Sequence, residues 1–298
     1  MGIDVGGSSI KWVLLEGERV VDRGHQQTPA SGRPAILAAI AELVSEQRGV
    51  PAVGLALPAV IDVDGRCTLL APNLPGDWVG HPVGPSLSAE LGIPVTLCND
   101  ARAFTRAEWL LGAARGRRNV IAITLGTGVG GGVVADGRLV RGSRGRAGEL
   151  GHMPVESDGV RCGCGAIGCL ETIAGARALI RQAHEAVARE PASRLTAAAA
   201  LTAETVVDAA RQGDPAATKI MARAGEAIGR AVTALATALN AEVVVVGGGL
   251  GGALDVVRPA IEGALRERSA LIGECPVVAS SLGLHAGAIG AALWKEDG

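Results

Sequence analysis

The sequence of 298 residues has no tyrosine, one phenylalanine and only three lysines, at positions 11, 219 and 295. It contains no G-x-x-x-x-G-K-[ST] motif, which excludes a P-loop kinase. No apolar run reaches the length of a membrane span, and Asp4 stands where a signal peptide would have its basic and then apolar leader. The formal net charge of −2 offers no electrostatic argument for binding nucleic acid or an anionic membrane.

Glycine and aliphatic residues are abundant instead. The chain has 44 glycines and 48% hydrophobic residues, which is typical of a folded globular protein. Its length is enough to bury a sizeable core and predicts two domains, or one large one. Six cysteines without a secretion signal indicate a reducing, cytoplasmic environment.

The stretch from residue 149 to residue 171, which we call the knot, holds three of the six cysteines. Cys162, Cys164 and Cys169 follow His152 by ten residues or more, and three thiolates with one imidazole form a complete tetrahedral set for structural zinc. The alternatives are a disulfide loop or buried thiols, but a C-x-C bridge is badly strained. Glu149 and Glu171 are the two ends of the knot. A metal ion that held both carboxylates in place would make the knot a scaffold for a polar ligand site, and we predict such a site here.

Two similar strand–turn–strand patterns organise the chain. Residues 2–26 alternate apolar segments with glycine turns, which predicts successive antiparallel strands, and residues 119–140 repeat the pattern. A polar, glycine-flanked segment at 112–119 is a candidate domain boundary. A helix is predicted to begin at Pro34 and to include Val44, and further helices are predicted near 83–91, 101–114, 175–190, 204–212, 215–239, 253–268 and 285–295. The repeat indicates two related domains, each with a glycine-rich loop that can approach phosphate.

Three glycine-rich loops are candidates for binding phosphate or nucleotide: residues 4–9 (first loop), 125–132 (second loop) and 247–252 (third loop). Glycines let backbone N–H groups come close to phosphate oxygens, although the first loop alone could be a simple hairpin turn. The second loop fits G-x-G-x-x-G literally but continues as a strand, so a dinucleotide site is not expected there. The third loop opens a helix, but too little chain remains for a dinucleotide-binding domain.

Asn99 and Asp100 follow a buried strand, where a helix is predicted to begin. One of them could serve only as the helix N-cap, because both residue types are good caps. A carboxylate at the end of a strand could also act as a general base in phosphoryl transfer. The sequence leaves both roles open.

The pattern ExGH…CxCGxxGCxE of the knot resembles the signature of the ROK sugar kinases, bacterial glucokinase-like enzymes of the actin/hexokinase superfamily. The resemblance also covers IDVGGSS, PNLPGDW, NDA, TLGTGVGGG and VVVVGGGLG. It implies an α/β fold of two actin-like (ribonuclease H-like) domains with an interdomain cleft and a zinc knot. The expected domains are residues 1–115, completed by a C-terminal helix at about 283–298, and residues 116–282, with the zinc-binding insertion at 149–171.

The resemblance also implies a role for individual residues. Asp100 would be the general base, and the zinc ligands would be those named above. The sugar ligands would be Asn73, Asn99, Asp100, Glu149, His152 and Glu171, with His152 serving both zinc and sugar. ATP and Mg²⁺ would be bound by Asp4, Gly6, Gly7, Ser8, Ser9, Lys11, Gly126, Thr127, Gly128, Gly130, Gly131, Gly248, Gly249 and Leu250, with Asp4 closest to the Mg²⁺.

The function implied is ATP- and Mg²⁺-dependent phosphorylation of glucose at O6 by a cytoplasmic homodimer or homotetramer. Ala59 stands where these kinases commonly have glycine, which keeps open a kinase for an amino or N-acetyl hexosamine, kanosamine, mannose or fructose. Lys11 resembles the arrangement in polyphosphate-using glucokinases, so polyphosphate remains a possible donor. The family also includes sugar-sensing regulators, but a start at Asp4 leaves no room for their N-terminal DNA-binding domain.

Overall fold

The computed structural model describes residues 1–189, 193–198 and 200–294. The chain separates into two compact units. Unit 1 comprises Met1–Arg115, Leu139–Gly148 and the segment from Leu282 onward, and unit 2 comprises Gly116–Arg138 and Glu149–Ser281. The chain therefore passes from one unit to the other four times, after residues 115, 138, 148 and 281.

Both units are built from a mixed sheet and helices, which confirms the α/β class. The strands are β1 (Gly2–Val5), β2 (Ser9–Glu16), β3 (Arg19–Gln27), β4 (Val53–Leu57), β5 (Val60–Ile61), β6 (Thr68–Leu70), β7 (Val95–Asn99), β8 (Val120–Leu125), β9 (Val129–Ala135), β10 (Arg138–Leu139), β11 (Val243–Gly247) and β12 (Val277–Ala279). The helices are α1 (Arg33–Glu46), α2 (Val83–Leu91), α3 (Asp100–Leu110), α4 (Glu171–Ala174), α5 (Ala176–Arg189), α6 (Ala203–Arg211), α7 (Pro215–Leu239), α8 (Leu254–Arg266), α9 (Ser269–Ile272) and α10 (Ala286–Ala292).

The sheet of unit 1 has the strand order β3-β2-β1-β4-β7. The first three strands are antiparallel, as the sequence predicts, and β4 and β7 run parallel to β1. Strand β4 is buried along its whole length, which fits a central strand covered on both faces. The predicted helix at 101–114 ends at Leu110, and the chain then turns through Gly112.

The last helix, α10, packs on the sheet and on helix α3 of unit 1 at very short distance. A Cβ atom on Gly54 would overlap the backbone carbonyl of Ala291, and one on Gly290 would overlap that of Ala103. Glycine is therefore required on both surfaces for this backbone-to-backbone contact. The helix ends at Ala292, three residues before the end predicted at about 295, and residues 295–298 lie outside the described chain.

This packing predicts that Gly290→Ala destabilises the protein, because the added methyl group has no space. Overpacking of this kind costs about 1–3 kcal/mol, sometimes more, and thermal or denaturant unfolding measures it. The matched control is Gly263→Ala, also in a helix, where an added Cβ meets nothing within 4 Å. That change should leave stability unchanged or raise it by up to about 1 kcal/mol. Equal stability of the two variants would contradict the close packing of α10.

The segment Leu139–Gly148 groups with unit 1, although it lies in the middle of the sequence of unit 2. Arg102 of α3 donates a hydrogen bond to the carbonyl of Gly145, and Arg141 donates one to the carbonyl of Val63 at 3.3 Å. The partners of this segment are far away in sequence, which is why the sequence pattern alone places it with its neighbours in the chain.

The sheet of unit 2 has the order β10-β9-β8-β11-β12. Strands β8 and β9 form the predicted hairpin, and β11 runs parallel to both β8 and β12. Helices α5, α6, α7 and α8 lie within about two residues of their predicted bounds, with residue 190 outside the described chain. Among the described residues, no helix is both long and apolar enough to cross a membrane.

Candidate functional site

The candidate catalytic carboxylate of unit 1 lies where β7 ends and α3 begins. Asn99, and not Asp100, is the N-cap of α3: its side-chain oxygen accepts a hydrogen bond from the backbone N–H of Arg102 at 3.1 Å. Asp100 is the first helical residue, and its Oδ1 accepts hydrogen bonds from the N–H of Ala101 at 2.8 Å and from Nδ2 of Asn99 at 3.1 Å. The N-cap of α3 is therefore Asn99, and Asp100 contributes one hydrogen bond within the first turn.

Asn99 also connects Asp100, the candidate base, to Ala59, which stands where the ROK sugar kinases commonly have glycine. Its Nδ2 lies 3.4 Å from the carbonyl oxygen of Ala59, which is 4% exposed. Both atoms of the Asn99 amide thus have intramolecular contacts, which fix its orientation next to the Asp100 carboxylate. The Ala59 methyl group itself is buried in the hydrophobic core of unit 1.

The first glycine loop joins β1 to β2. Asp4 lies opposite Lys11 in the antiparallel register, with Nζ of Lys11 3.8 Å from Oδ2 of Asp4. Burial raises the pKa of the Asp4 carboxyl, and the Lys11 charge opposes that shift. A half-buried carboxylate whose lysine neighbour is 3.8 Å away can also bind a further cation, as the predicted Mg²⁺ role requires.

Asn73, the third candidate sugar ligand of unit 1, approaches the first glycine loop through its backbone. A Cβ on Gly7 would lie 2.9 Å from the carbonyl oxygen of Asn73, whose side chain is exposed. The loop itself is closed by a hydrogen bond from the N–H of Gly6 to the carbonyl of Ser9 at 2.9 Å. The glycine at position 7 therefore lets the two segments meet.

The second and third glycine loops come together within unit 2. The N–H of Leu250 donates to the carbonyl of Leu125 at 2.9 Å, and a Cβ on Gly248, whose φ is +89°, would collide with the backbone of Leu125. The second loop turns between β8 and β9, so the chain continues as a strand, as the sequence predicts. The structure thus brings the candidate nucleotide residues of unit 2 to one edge of its sheet.

The four predicted metal ligands of the knot converge. The ligand atoms of His152, Cys162, Cys164 and Cys169 all lie within 4.8 Å of one another. The Sγ atoms of Cys164 and Cys169 are 3.7 Å apart, and Sγ of Cys162 is 3.4 Å from Nδ1 of His152. A zinc tetrahedron with ordinary bond lengths has edges of about 3.8 Å between sulfurs and about 3.6 Å between sulfur and nitrogen. The side chains therefore fit a Zn²⁺ ion.

Local backbone geometry explains how the knot closes. Gly165 and Gly168 have φ values of +94° and +71°, where a residue with a side chain would be strained. Gly163 does not have a positive φ, so the backbone conformation does not require glycine at that position. Burial raises the pKa of the Cys162 and Cys169 thiols, while the backbone N–H of Ala166 lowers the pKa of Cys164. Zinc binds thiolates, so metal binding must displace the protons of these cysteines and is expected to depend on pH.

The two acidic residues at the ends of the knot have different surroundings. Glu149 is exposed and precedes a short 3₁₀ turn that carries His152. Glu171 begins α4, and its Oε1 lies 3.0 Å from Sγ of Cys162 and 3.5 Å from Nδ1 of His152. Its Oε2 faces the second glycine loop, where a Cβ on Gly128 would lie only 2.6 Å away. Glu171 therefore lies between the metal ligands and the candidate phosphate loop.

No motif in the sequence indicates the ion pair that joins the knot to helix α7. Nη2 of Arg223, on α7, lies 2.9 Å from each carboxylate oxygen of Glu156, in the middle of the knot. Nη1 of the same arginine donates to Oε1 of Gln182, on α5, at 3.3 Å. These residue types are common on exposed helix faces, so only the three-dimensional structure identifies them.

The sequence profile of the ROK family matches residues 1–297. A glucokinase of Thermotoga maritima is 36% identical over an alignment covering 98% of this chain and 95% of that protein. An N-acetylmannosamine kinase of Yersinia pestis is 32% identical, covering 99% of this chain and 98% of that protein. The crystal structure of a ROK glucokinase from Streptomyces griseus, in complex with glucose and AMPPNP, superposes with a TM-score of 0.85 at 34% identity, covering 100% of this chain and 99% of that one. The resemblance of the motifs is thereby confirmed, and the chain belongs to the ROK family.

Proposed function

We propose that this protein is an ATP-dependent glucokinase that transfers the γ-phosphoryl group of ATP to O6 of glucose. The observation that carries the proposal is the similarity over the whole chain to a glucokinase whose crystal structure contains glucose and AMPPNP, an ATP analogue. The glucokinase of Thermotoga maritima supports the same assignment.

In the proposed mechanism, Asp100 is the general base. It accepts the proton of the sugar hydroxyl while that oxygen attacks the γ-phosphorus, and ADP leaves. The hydrogen bond from Asn99 to Oδ1 of Asp100 orients the carboxylate. Because Asn99 caps the helix, Asp100 is not needed for that purpose and its carboxylate serves the reaction.

We propose that the sugar is bound by the polar residues that the sequence motifs identify. Unit 1 supplies Asn73, Asn99 and Asp100, and unit 2 supplies Glu149, His152 and Glu171. Carboxylates and amides suit a polyol, because each sugar hydroxyl both donates and accepts hydrogen bonds. When Cys162 is a metal-bound thiolate, its sulfur no longer donates to Glu171, whose Oε1 can then accept from a sugar hydroxyl.

The nucleotide is assigned to the three glycine loops. The first loop, with Gly6, Gly7, Ser8, Ser9 and Lys11, and the second, with Gly126, Thr127, Gly128, Gly130 and Gly131, hold the phosphates. Gly248, Gly249 and Leu250 of the third loop hold the adenosine. Asp4 holds Mg²⁺, which neutralises charge on the phosphates, while Zn²⁺ at His152, Cys162, Cys164 and Cys169 is structural. We further propose that the protein acts in the cytoplasm as a homo-oligomer.

A coupled assay of ADP release across a panel of hexoses and hexosamines tests this function. We expect the highest kcat/KM with glucose. A preference for an N-acetyl hexosamine would instead assign the activity of the Yersinia pestis relative. Ala59, whose backbone carbonyl contacts Asn99, is the feature that could cause it. Sugar binding without ADP release from any sugar would indicate a non-catalytic sugar sensor and contradict the kinase assignment.

The same assay, run with ATP and with polyphosphate, tests which phosphate donor the protein uses. Because the second and third loops are complete and pack together, we expect ATP to support turnover, whether or not polyphosphate also does. Lys11→Ala should weaken any use of polyphosphate more than the use of ATP, since an additional cation matters most for a polyanion. Turnover with polyphosphate and none with ATP would contradict the assignment of these loops.

A further inference from the structure

Helix α3 is buried on every side, although it carries several charged residues. Eight consecutive residues, from Ala101 to Glu108, are buried. Arg102, Arg106 and Glu108 are 4%, 7% and 0% exposed. Buried charged groups need partners. Those of these three side chains include Gly145 for Arg102, Leu293 for Arg106, and Ala113 and Leu282 for Glu108, and all of these except Ala113 are far away in sequence.

Glu108 makes the most extensive of these contacts. Its Oε2 accepts a hydrogen bond from the N–H of Ala113 at 2.8 Å, and its Oε1 accepts one from the N–H of Leu282 at 3.0 Å. Its backbone carbonyl accepts from the N–H groups of Gly112 at 3.2 Å and Ala114 at 2.9 Å. A side chain at position 112 would overlap the Glu108 carboxylate.

The partners of Glu108 lie at two of the four places where the chain passes between the units. Ala113 is two residues before Arg115, where the first segment of unit 1 ends, and Leu282 is the residue with which the last segment begins. These two passages are separated by more than 160 residues of sequence, yet one buried carboxylate binds both. The helix that carries it begins with Asp100.

We infer that Glu108 is a positioning residue for the proposed reaction. It fixes the unit 1 ends of both passages to the helix that carries the candidate base. Two compact units joined by a few chain passages are expected to move, and hinges are formed by a few residues at the ends of elements. With residues 113 and 282 held by one carboxylate, bending is confined to the residues beyond them. The inference rests on the proposed kinase function only for its kinetic consequence.

The test compares Glu108→Gln with Arg106→Met in amide hydrogen exchange and in kinetics. A glutamine offers an acceptor to only one of the two N–H groups, so we expect faster exchange, by at least about tenfold, at Ala113, Leu282 or both. A smaller fraction of the molecules then has residues 113 and 282 held against helix α3 in the arrangement needed for the reaction. We therefore expect kcat/KM for the sugar to fall by about tenfold. The wild type, measured first, should show both amides protected.

Arg106→Met is the matched control, because Arg106 is on the same helix, is similarly buried, and donates a hydrogen bond from Nε to the carbonyl of Leu293 at 2.8 Å. It should lower the melting temperature to a similar degree while kcat/KM remains within about twofold and the amides of Ala113 and Leu282 stay protected. An equal kinetic loss in both variants, unchanged exchange in Glu108→Gln, or unprotected amides in the wild type would overturn the inference. If the wild type phosphorylates no sugar, the proposed function fails, and exchange at these two amides alone decides whether Glu108 anchors the passages.

Discussion

Asp100→Asn should lower kcat by about 10²–10⁴-fold, because an amide cannot accept the proton of the attacking hydroxyl. The substitution conserves size and one acceptor oxygen, so the N–H of Ala101 keeps its hydrogen bond. The helix cap is unaffected, because Asn99 provides it. We therefore expect the melting temperature to stay close to that of the wild type and the Kd for sugar to change by no more than about tenfold.

Three measurements on this variant separate chemistry from structure: kcat, sugar affinity by calorimetry, and thermal unfolding. The control is Asp208→Asn on the exposed surface of α6, which removes a carboxylate far from the candidate base in sequence and should leave kcat unchanged. Near-normal turnover of Asp100→Asn would eliminate the general-base assignment. A large loss of stability would show that Asp100 has a structural role after all.

The second large effect is expected from Cys164→Ser, which removes one of four converging ligands. The wild-type protein should contain about one zinc ion per chain by elemental analysis, and the variant much less. Apparent zinc-binding free energies reach about 10–16 kcal/mol in small zinc-dependent domains, so loss of the ion should lower the melting temperature by many degrees. Sugar affinity should fall as well, because Glu171 contacts Cys162 and His152.

Cys67→Ser is the matched control, since Cys67 is a free, half-buried cysteine outside the knot. It should retain the zinc ion, the melting temperature and the sugar affinity of the wild type. Treatment of the wild type with a strong chelator should reproduce the Cys164→Ser phenotype, and added zinc should reverse it. A zinc content near zero in the untreated wild type, or a disulfide between two knot cysteines, would contradict a structural zinc site.

The sequence predicts well those features that depend on local chemistry. Glycines between apolar segments predict the hairpins of both sheets, because tight turns need their conformational freedom. The spacing of His152, Cys162, Cys164 and Cys169 predicts a ligand set that does converge in the structure. Each of these inferences needs only residues that are close together in the chain.

Features that depend on distant partners could not be predicted in this way. Asn99 and Asp100 are equally good caps, and a shift of one residue decides which of them caps the helix. Arg102, Arg106 and Glu108 give α3 the charge pattern of a solvent-exposed helix. They are buried against partners that include residues of two distant segments of the chain, Leu139–Gly148 and the segment from Leu282 onward, which no local pattern reveals.

The close packing of α10 also sets the order in which the chain can fold during synthesis. Gly54 and Ala103 lie in the first half of the chain, but the helix that packs on them begins at Ala286. All of unit 2 is therefore made before unit 1 can be completed. Domains generally fold as they emerge from the ribosome, so here the unit that begins synthesis first finishes folding last. Until then, the surface that α10 will cover stays exposed, and a nascent chain stalled near residue 280 should bind chaperones that recognise apolar surfaces.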